Sequence, residues 1–151
     1  MKLQVASRLA IFALLELAAR RDQQVSVAEI GEKYGVSTHH LAKVMHALGR
    51  AGLVHSVRGA GGGCQFTGNA RRVTLLHVIE LFEKRDSEDS GKDAPGYGTN
   101  EGRALREVLG EIDGIAQATL GSITIATMLK LVDRHRGGGR RPAASVAAAE
   151  R

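Results

Sequence analysis

The densest run of groups able to meet a nucleic acid lies between Ser37 and Gly59. Ser37, Thr38, His39, His40 and Lys43 come close together, followed by Arg50 and then by Arg58-Gly59. Short hydroxyls and free backbone N–H groups at a helix start suit phosphate oxygens, and Lys or His donates readily to guanine. Taken singly, each residue has the plainer reading of a solvated surface position. His39, His40 and His46 share one stretch, but none of their spacings is the i, i+4 pair with which one helix holds zinc. Metal binding there is not expected. The glycine-rich run Arg58-Gly59-Ala60-Gly61-Gly62-Gly63 fits neither GxxxxGK[ST] nor a GxGxxG leading from strand to helix. It reads instead as a hairpin tip, where Arg58 is placed to enter a minor groove.

The local pattern supplies elements to carry these groups. An Ala/Leu/Ile-rich helix is predicted over 5–20. Ser26 and Glu29 form a capping box, and Val25 and Ile30 stand at the two positions of a hydrophobic staple. A short second helix therefore starts at Ser26 and stops at Gly35. Ser37-Thr38 opens a third, with Leu41, Val44, Met45 and Leu48 as its buried stripe and Gly52 as its stop. That spacing is a helix-turn-helix. Strands are predicted over 53–57 and 64–67 around the glycine loop, which adds a wing. Thr74 caps a fourth helix to about Glu83, a long amphipathic helix covers about 101–120, and a short one runs from Thr124 to about Val132.

The expected fold is mainly α with a small β-hairpin wing: a winged helix-turn-helix head and a long dimerisation helix. The expected division is a head over 1–83, a flexible acidic loop over 84–100, the dimerisation helix and a short helix over 101–132, and a disordered basic tail over 133–151. A head of this size buries one small core by itself and leaves the long helix's apolar face uncovered. Leu105, Val108, Leu109, Ile112 and Ile115 are the expected dimer contacts. The alternative is that this helix folds back on its own head.

Composition agrees with a binding protein. Of 151 residues 43% are apolar but only 3% aromatic, so the core must be built from aliphatic side chains. Residues 1–72 hold ten Lys/Arg against four Asp/Glu, 73–129 five against ten, and 130–151 six against two. A basic N-terminal half suits nucleic acid, with a solvated basic face as the alternative. The apolar stretch from Leu9 to Ala19 is broken by Glu16 and is shorter than the ~20 residues a bilayer needs. With no signal-like cleavage site after it, a cytoplasmic protein away from membranes is expected. One cysteine, Cys64, excludes an intrachain disulfide and any metal centre built from several cysteines of one chain.

The opening MKLQVASRLAIFALLELA, the segment VSVAEIGEKYGVSTHHLAKVMHALGRAGLVHSVRGAGGG and the run TLLHVIELFE resemble the Rrf-type family of bacterial winged helix-turn-helix regulators, the IscR/NsrR/CymR group. The likeness covers about 1–132. It implies a homodimeric, sequence-specific transcription factor, usually a repressor on near-palindromic operators in double-stranded DNA. Cluster-binding members carry three cysteines in the loop before the dimerisation helix, and some add an acidic ligand near position 8. Here the loop KRDSEDSGKDAPGYGTNEG has neither Cys nor His, and position 8 is Arg8. No iron–sulfur cluster, and no other cofactor, is expected. Cys64 is the one candidate redox switch, with Arg58 nearby to favour a thiolate; a small packing residue is the plainer reading.

The leading expectation is a dimeric DNA-binding repressor whose effector, a small molecule or a protein, is not named by the sequence. The alternative is an interaction module with weak or no specific DNA binding, acting through its dimer helix or tail. No nucleophile–base pair points to an enzyme.

Overall fold

The computed structural model describes residues 2–83 and 94–138. Helix α1 (Val5–Ala19) is apolar on nearly every side and runs through the middle of the core. Leu9, Ala10, Ala13, Leu14 and Leu17 are all buried, as expected of a helix surrounded by other elements. Its start has no side-chain cap of its own. Glu83 fills that role from a distance, accepting from the Gln4 N–H at 2.9 Å and the buried Ser7 hydroxyl at 2.7 Å. A carboxylate at the positive end of the helix dipole is favourable.

Helices α2 (Val27–Tyr34) and α3 (Thr38–Arg50) form the helix-turn-helix. Ser26 accepts from Glu29 N–H at 3.1 Å, and Gly35 closes α2 in the left-handed region at φ 65°. Val25 and Ile30 are both buried, so the staple is in place. Strands β1 (Val54–Val57) and β2 (Gly63–Phe66) pair antiparallel, with Val54 opposite Phe66 and Ser56 opposite Cys64. β1 begins one residue later than the sequence pattern predicts and ends where expected, while β2 lies one residue nearer the glycine loop. The limits follow from the register, which pairs Val57 with Gly63 at the loop end and Val54 with Phe66 at the other; Cys64 also exchanges two hydrogen bonds with Val25, at 3.0 and 2.8 Å, adding a third edge to the hairpin.

Helix α4 (Leu75–Glu80) is shorter than expected and continues as turns. Helix α5 (Asn100–Ser122) begins from Thr99, which accepts from Gly102 N–H at 3.1 Å. Before it, 94–99 are not a slack loop. Tyr97 N–H bonds Ala94 O, Thr99 bonds Gly96 O, and Arg106 lies 5.4 Å from the Tyr97 ring centroid. The rest of the expected loop, 84–93, falls outside the described residues.

Helix α6 (Ile125–Gly137) corrects the expected tail boundary, because 133–137 are helical. Lys130, Arg134 and Arg136 lie toward the helix C-terminus, where cations are stabilised. The part of the expected tail beyond Gly138 also falls outside the described residues. Helix α6 is not an appendage. Ile125 is fully buried in the head core, and Ala126, Met128 and Leu129 pack against it. Backbone bonds fix the junction: Leu75 N–H to Ile123 O, Ile125 N–H to Val73 O and Ala126 N–H to Ala70 O, all at 2.8–2.9 Å. Among the described residues no helix is long and apolar enough to cross a membrane.

A polar clamp ties α1 to α2. Glu16, its side chain only 11% exposed, pairs with Lys33, accepts from Tyr34 Oη at 3.4 Å and lies 3.5 Å from Arg20 Nη1. Arg20 also pairs with Glu29, and Phe12 stacks on Tyr34 with centroids 5.0 Å apart. Burial alone raises the Glu16 carboxyl, but hydrogen bonds and charge from Lys33 and Arg20 outweigh it and hold the carboxyl below its ordinary value. Lys33 is raised, chiefly by its hydrogen bond to Glu16. The clamp's stabilisation is therefore complete between the carboxylate and lysine ranges. It is lost as pH falls through the depressed Glu16 value or rises through the elevated Lys33 value. Glu16→Gln should cost about 1–3 kcal/mol at neutral pH. In urea titrations run from pH 7 downward, the gap from the parent should close in acid; a gap constant with pH would show that the carboxylate's charge contributes nothing.

Candidate nucleic-acid interface

The stripe that buries α3 also decides what it presents. With Leu41, Val44, Met45 and Leu48 in the core, Thr38, His39, His40, Lys43, His46 and Arg50 are all exposed. Ser37 is the N-cap, its oxygen accepting from His40 N–H at 3.3 Å. The cap uses the oxygen as acceptor and leaves the hydroxyl proton free to donate to a phosphate. The first turn of α3 thus combines hydroxyl donors, unbonded backbone N–H groups and the positive pole of a helix.

Five of the expected contacts, Ser37, Thr38, His39, His40 and Lys43, share this end of α3. Arg50 does not. It lies twelve residues after Thr38, which at 1.5 Å per residue is about 18 Å along the axis. Its neighbours are on the wing instead, in a shallow groove of about 320 Å³ lined by His46, Gly49, Arg50, His55 and Ser56. His55 and Ser56 are both exposed on β1 and were not singled out by the sequence reading. Strand alternation would not have found them, since His55, Ser56 and Val57 are exposed in succession.

Arg58 and Gly59 are exposed at the hairpin tip. Gly59 and Gly61 adopt φ of 104° and 75°, which side chains tolerate poorly. A Cβ on Gly62 would collide with Val57 O and stand 2.8 Å from Gly59 O. The loop is thus a tight turn that only glycine can make, and it carries Arg58 outward. Charge follows the same surface: the 47 residues from Lys33 to Ile79 contain no Asp or Glu. Six Lys/Arg lie in that span, so no carboxylate from it opposes a polyanion.

Cys64 lies elsewhere. It is 3% exposed, with Sγ 3.5 Å from Ser56 Oγ, and its backbone is bonded to Val25. The geometry supports packing for this thiol.

A family model described as "Iron-dependent Transcriptional regulator" (Rrf2) matches residues 3–131. The chain is 49% identical over 139 residues to the HTH-type regulator BadM of Rhodopseudomonas palustris, covering 90% of this chain and 86% of that one. It is 33% identical over 134 residues to the HTH-type transcriptional regulator IscR of Vibrio campbellii, covering 86% and 78%. The fold matches that of CymR, described as the global cysteine regulator of B. subtilis, with a TM-score of 0.73 at 24% identity, over 87% of this chain and 98% of that one.

The iron named in the family description can be tested against the donors present. An iron–sulfur cluster is held mainly by several thiolates. This chain has one thiol, and it is buried in a strand against Ser56 and Val25. No group of three His, Cys, Asp or Glu side chains that could hold a metal occurs among the described residues, and 84–93 contribute neither Cys nor His. The donor set does not fit a cluster.

The wing geometry makes a specific demand. Gly62→Ala should leave the helical circular dichroism unchanged while lowering affinity for a cognate DNA site at least tenfold. Unaltered affinity would show that the shape of the hairpin tip is irrelevant to binding.

Proposed function

The chain belongs to the Rrf2 family of DNA-binding transcriptional regulators, and from that premise we propose that it acts as a homodimeric, cluster-free repressor. The observation that carries the DNA-binding half is the carboxylate-free surface of α3 and the wing, with Lys43 and Arg58 both exposed. Thr38, His39, His40 and Lys43 would meet base edges and phosphates in the major groove, with Ser37 donating to a phosphate. Arg58 and Gly59 would meet an adjacent backbone or minor groove. Arg50, beside His46 and His55, would serve as a flanking phosphate contact.

Helix α5 supports the dimeric half. Leu105, Val108, Leu109, Ile112 and Ile115 are 50%, 53%, 44%, 55% and 69% exposed. They recur at three- and four-residue intervals along a helix about 35 Å long. All five remain largely open in the single chain, which supports pairing with a second copy over folding back on the head. A second copy presenting the same strip buries it by two-fold symmetry. Two heads so joined would read half-sites about 34–36 Å apart.

Binding is electrostatic in large part, which sets the expected numbers. Lys43→Ala and Arg58→Ala should each weaken operator binding several-fold to tenfold, and each should reduce the slope of log affinity against log salt by about 1. Leu105→Asp should convert the dimer to monomer in light scattering and abolish tight operator binding. Fluorescence anisotropy on the DNA upstream of the protein's own gene measures all three. If both head variants bound like the parent, the docking scheme would fall; absence of any operator preference would favour the interaction-module alternative.

A further inference from the structure

An open cleft of about 510 Å³ lies where the head meets α6. It is lined by Arg21, Asn69, Ala70 and Arg71 on one side and by Ala126 and Leu129 on the other. We infer that this cleft binds a small organic acid, its carboxylate held by Arg21 and Arg71 and its short apolar body laid against Ala126 and Leu129.

The chemistry follows from what the two guanidinium groups lack. Among the described residues neither Arg21 nor Arg71 has a carboxylate partner. Arg21 is nevertheless held in place. Its guanidinium carbon lies 5.6 Å from the Phe66 ring centroid, and its backbone carbonyl accepts from Gln65 Nε2 at 2.7 Å. Gly68 keeps that ring edge open, since a Cβ there would meet Phe66 Cζ at 2.9 Å. Arg71 is fixed through its backbone, whose N–H donates to Asn69 Oδ1 at 3.0 Å. That bond engages the Asn69 amide oxygen and leaves the amide N–H₂ as a further donor. Of the polar side chains lining the cleft two are guanidinium forks and the third is an amide whose oxygen is already engaged, which favours an acceptor-rich anion. The facing wall is apolar, and the volume falls within the range of small-molecule sites.

The place of the cleft gives such a ligand a consequence. One wall is the turn that follows β2 of the wing. The other is the first two turns of α6, joined to that turn by the Ala126–Ala70 and Ile125–Val73 backbone bonds. A molecule bridging Arg71 and Leu129 therefore spans the junction between the reading head and the segment that continues from α5. That regulatory consequence rests on the DNA-binding reading above; the binding itself does not.

The test uses full-length protein labelled with ¹⁵N and ¹³C and titrated with sodium hexanoate, with acetate and inorganic phosphate as comparison probes. Saturable shifts of the Arg21 and Arg71 Nε–Hε signals together with the Leu129 methyls, tighter for hexanoate than for acetate or phosphate, are expected. Arg71→Gln and Arg21→Gln should each weaken hexanoate at least tenfold, whereas Arg103→Gln on α5 should not. Unsaturable shifts, equal binding of all three probes, or an Arg71→Gln protein that binds hexanoate like the parent would overturn the site. Operator titrations of the same samples separate the two readings. Operator binding with no hexanoate site would remove the cleft and leave the regulator. Hexanoate binding without operator preference would remove the regulator's DNA reading and leave the cleft. A tenfold loss of operator affinity in Arg71→Gln without any organic acid would assign the guanidinium to DNA phosphate and overturn the proposal.

Discussion

Two hydrogen bonds between Val25 and Cys64 hold the reading head together. Val25 is fully buried and immediately precedes Ser26, the residue that caps α2. The same residue therefore fixes where the helix-turn-helix begins and where the wing is anchored. Gly63 is forced by this contact, because a Cβ there would stand 3.0 Å from the Val25 backbone. The cysteine side chain is turned into the core by it as well. A thiol buried in this way is poorly placed to serve as a metal ligand. The mismatch with the family's iron chemistry is thus built into the packing as well as into the cysteine count.

A second backbone link does for the other end of the molecule what Val25 does for the wing. Thr74 and Thr124 each cap a helix, α4 and α6, and they pair with one another across the chain. Around that pair, Leu75 bonds Ile123 and Ile125 bonds Val73. With Ile125 at zero exposure, the segment after α5 is seated in the same core as α1. A change in the angle of α5 would have to move Ile123 and Ile125, which are bonded to the residues leading out of the wing. The seam thus ties the end of α5 to the head by backbone hydrogen bonds as well as by the burial of Ile125.

What was legible in the sequence was what is local. Ser26, Ser37, Thr74 and Thr124 all accept from the N–H three residues on, and each could be read from a hydroxyl ahead of an apolar period. The outward face of α3 followed from its 3.6-residue stripe. The full reach of α6 was obscured because Asp133 to Gly137 is charged and leads into a Gly/Arg run, so composition read as tail what the chain continues as helix. The pairing of Cys64 with Val25, thirty-nine positions earlier, was hidden because no local pattern reports it. The division of the candidate contact residues, with Arg50 near the wing and apart from Lys43, came from helix rise and the groove beside β1. The cleft between 21, 69–71 and 126–129 draws on three segments far apart in the chain and so has no local signature.

Charge placement explains why such a chain keeps its two surfaces apart. From Lys33 to Ile79 there is no carboxylate, while α5 carries Glu101, Glu107, Glu111 and Asp113 against Arg103 and Arg106. A polyanion is favoured at the first surface over the second, where acids outnumber arginines. The excess of acids on α5 disfavours non-specific contact between that helix and DNA. The same segregation leaves Arg21 and Arg71 facing the α6 wall without acidic partners from that span of the head. Their positive field is available to a small anion, and an anion bound there would remove charge from the base of the wing. Ligand occupancy and DNA affinity would then be coupled through electrostatics even if the seam at Ala70 and Ala126 did not move, because both depend on the potential of the same basic head.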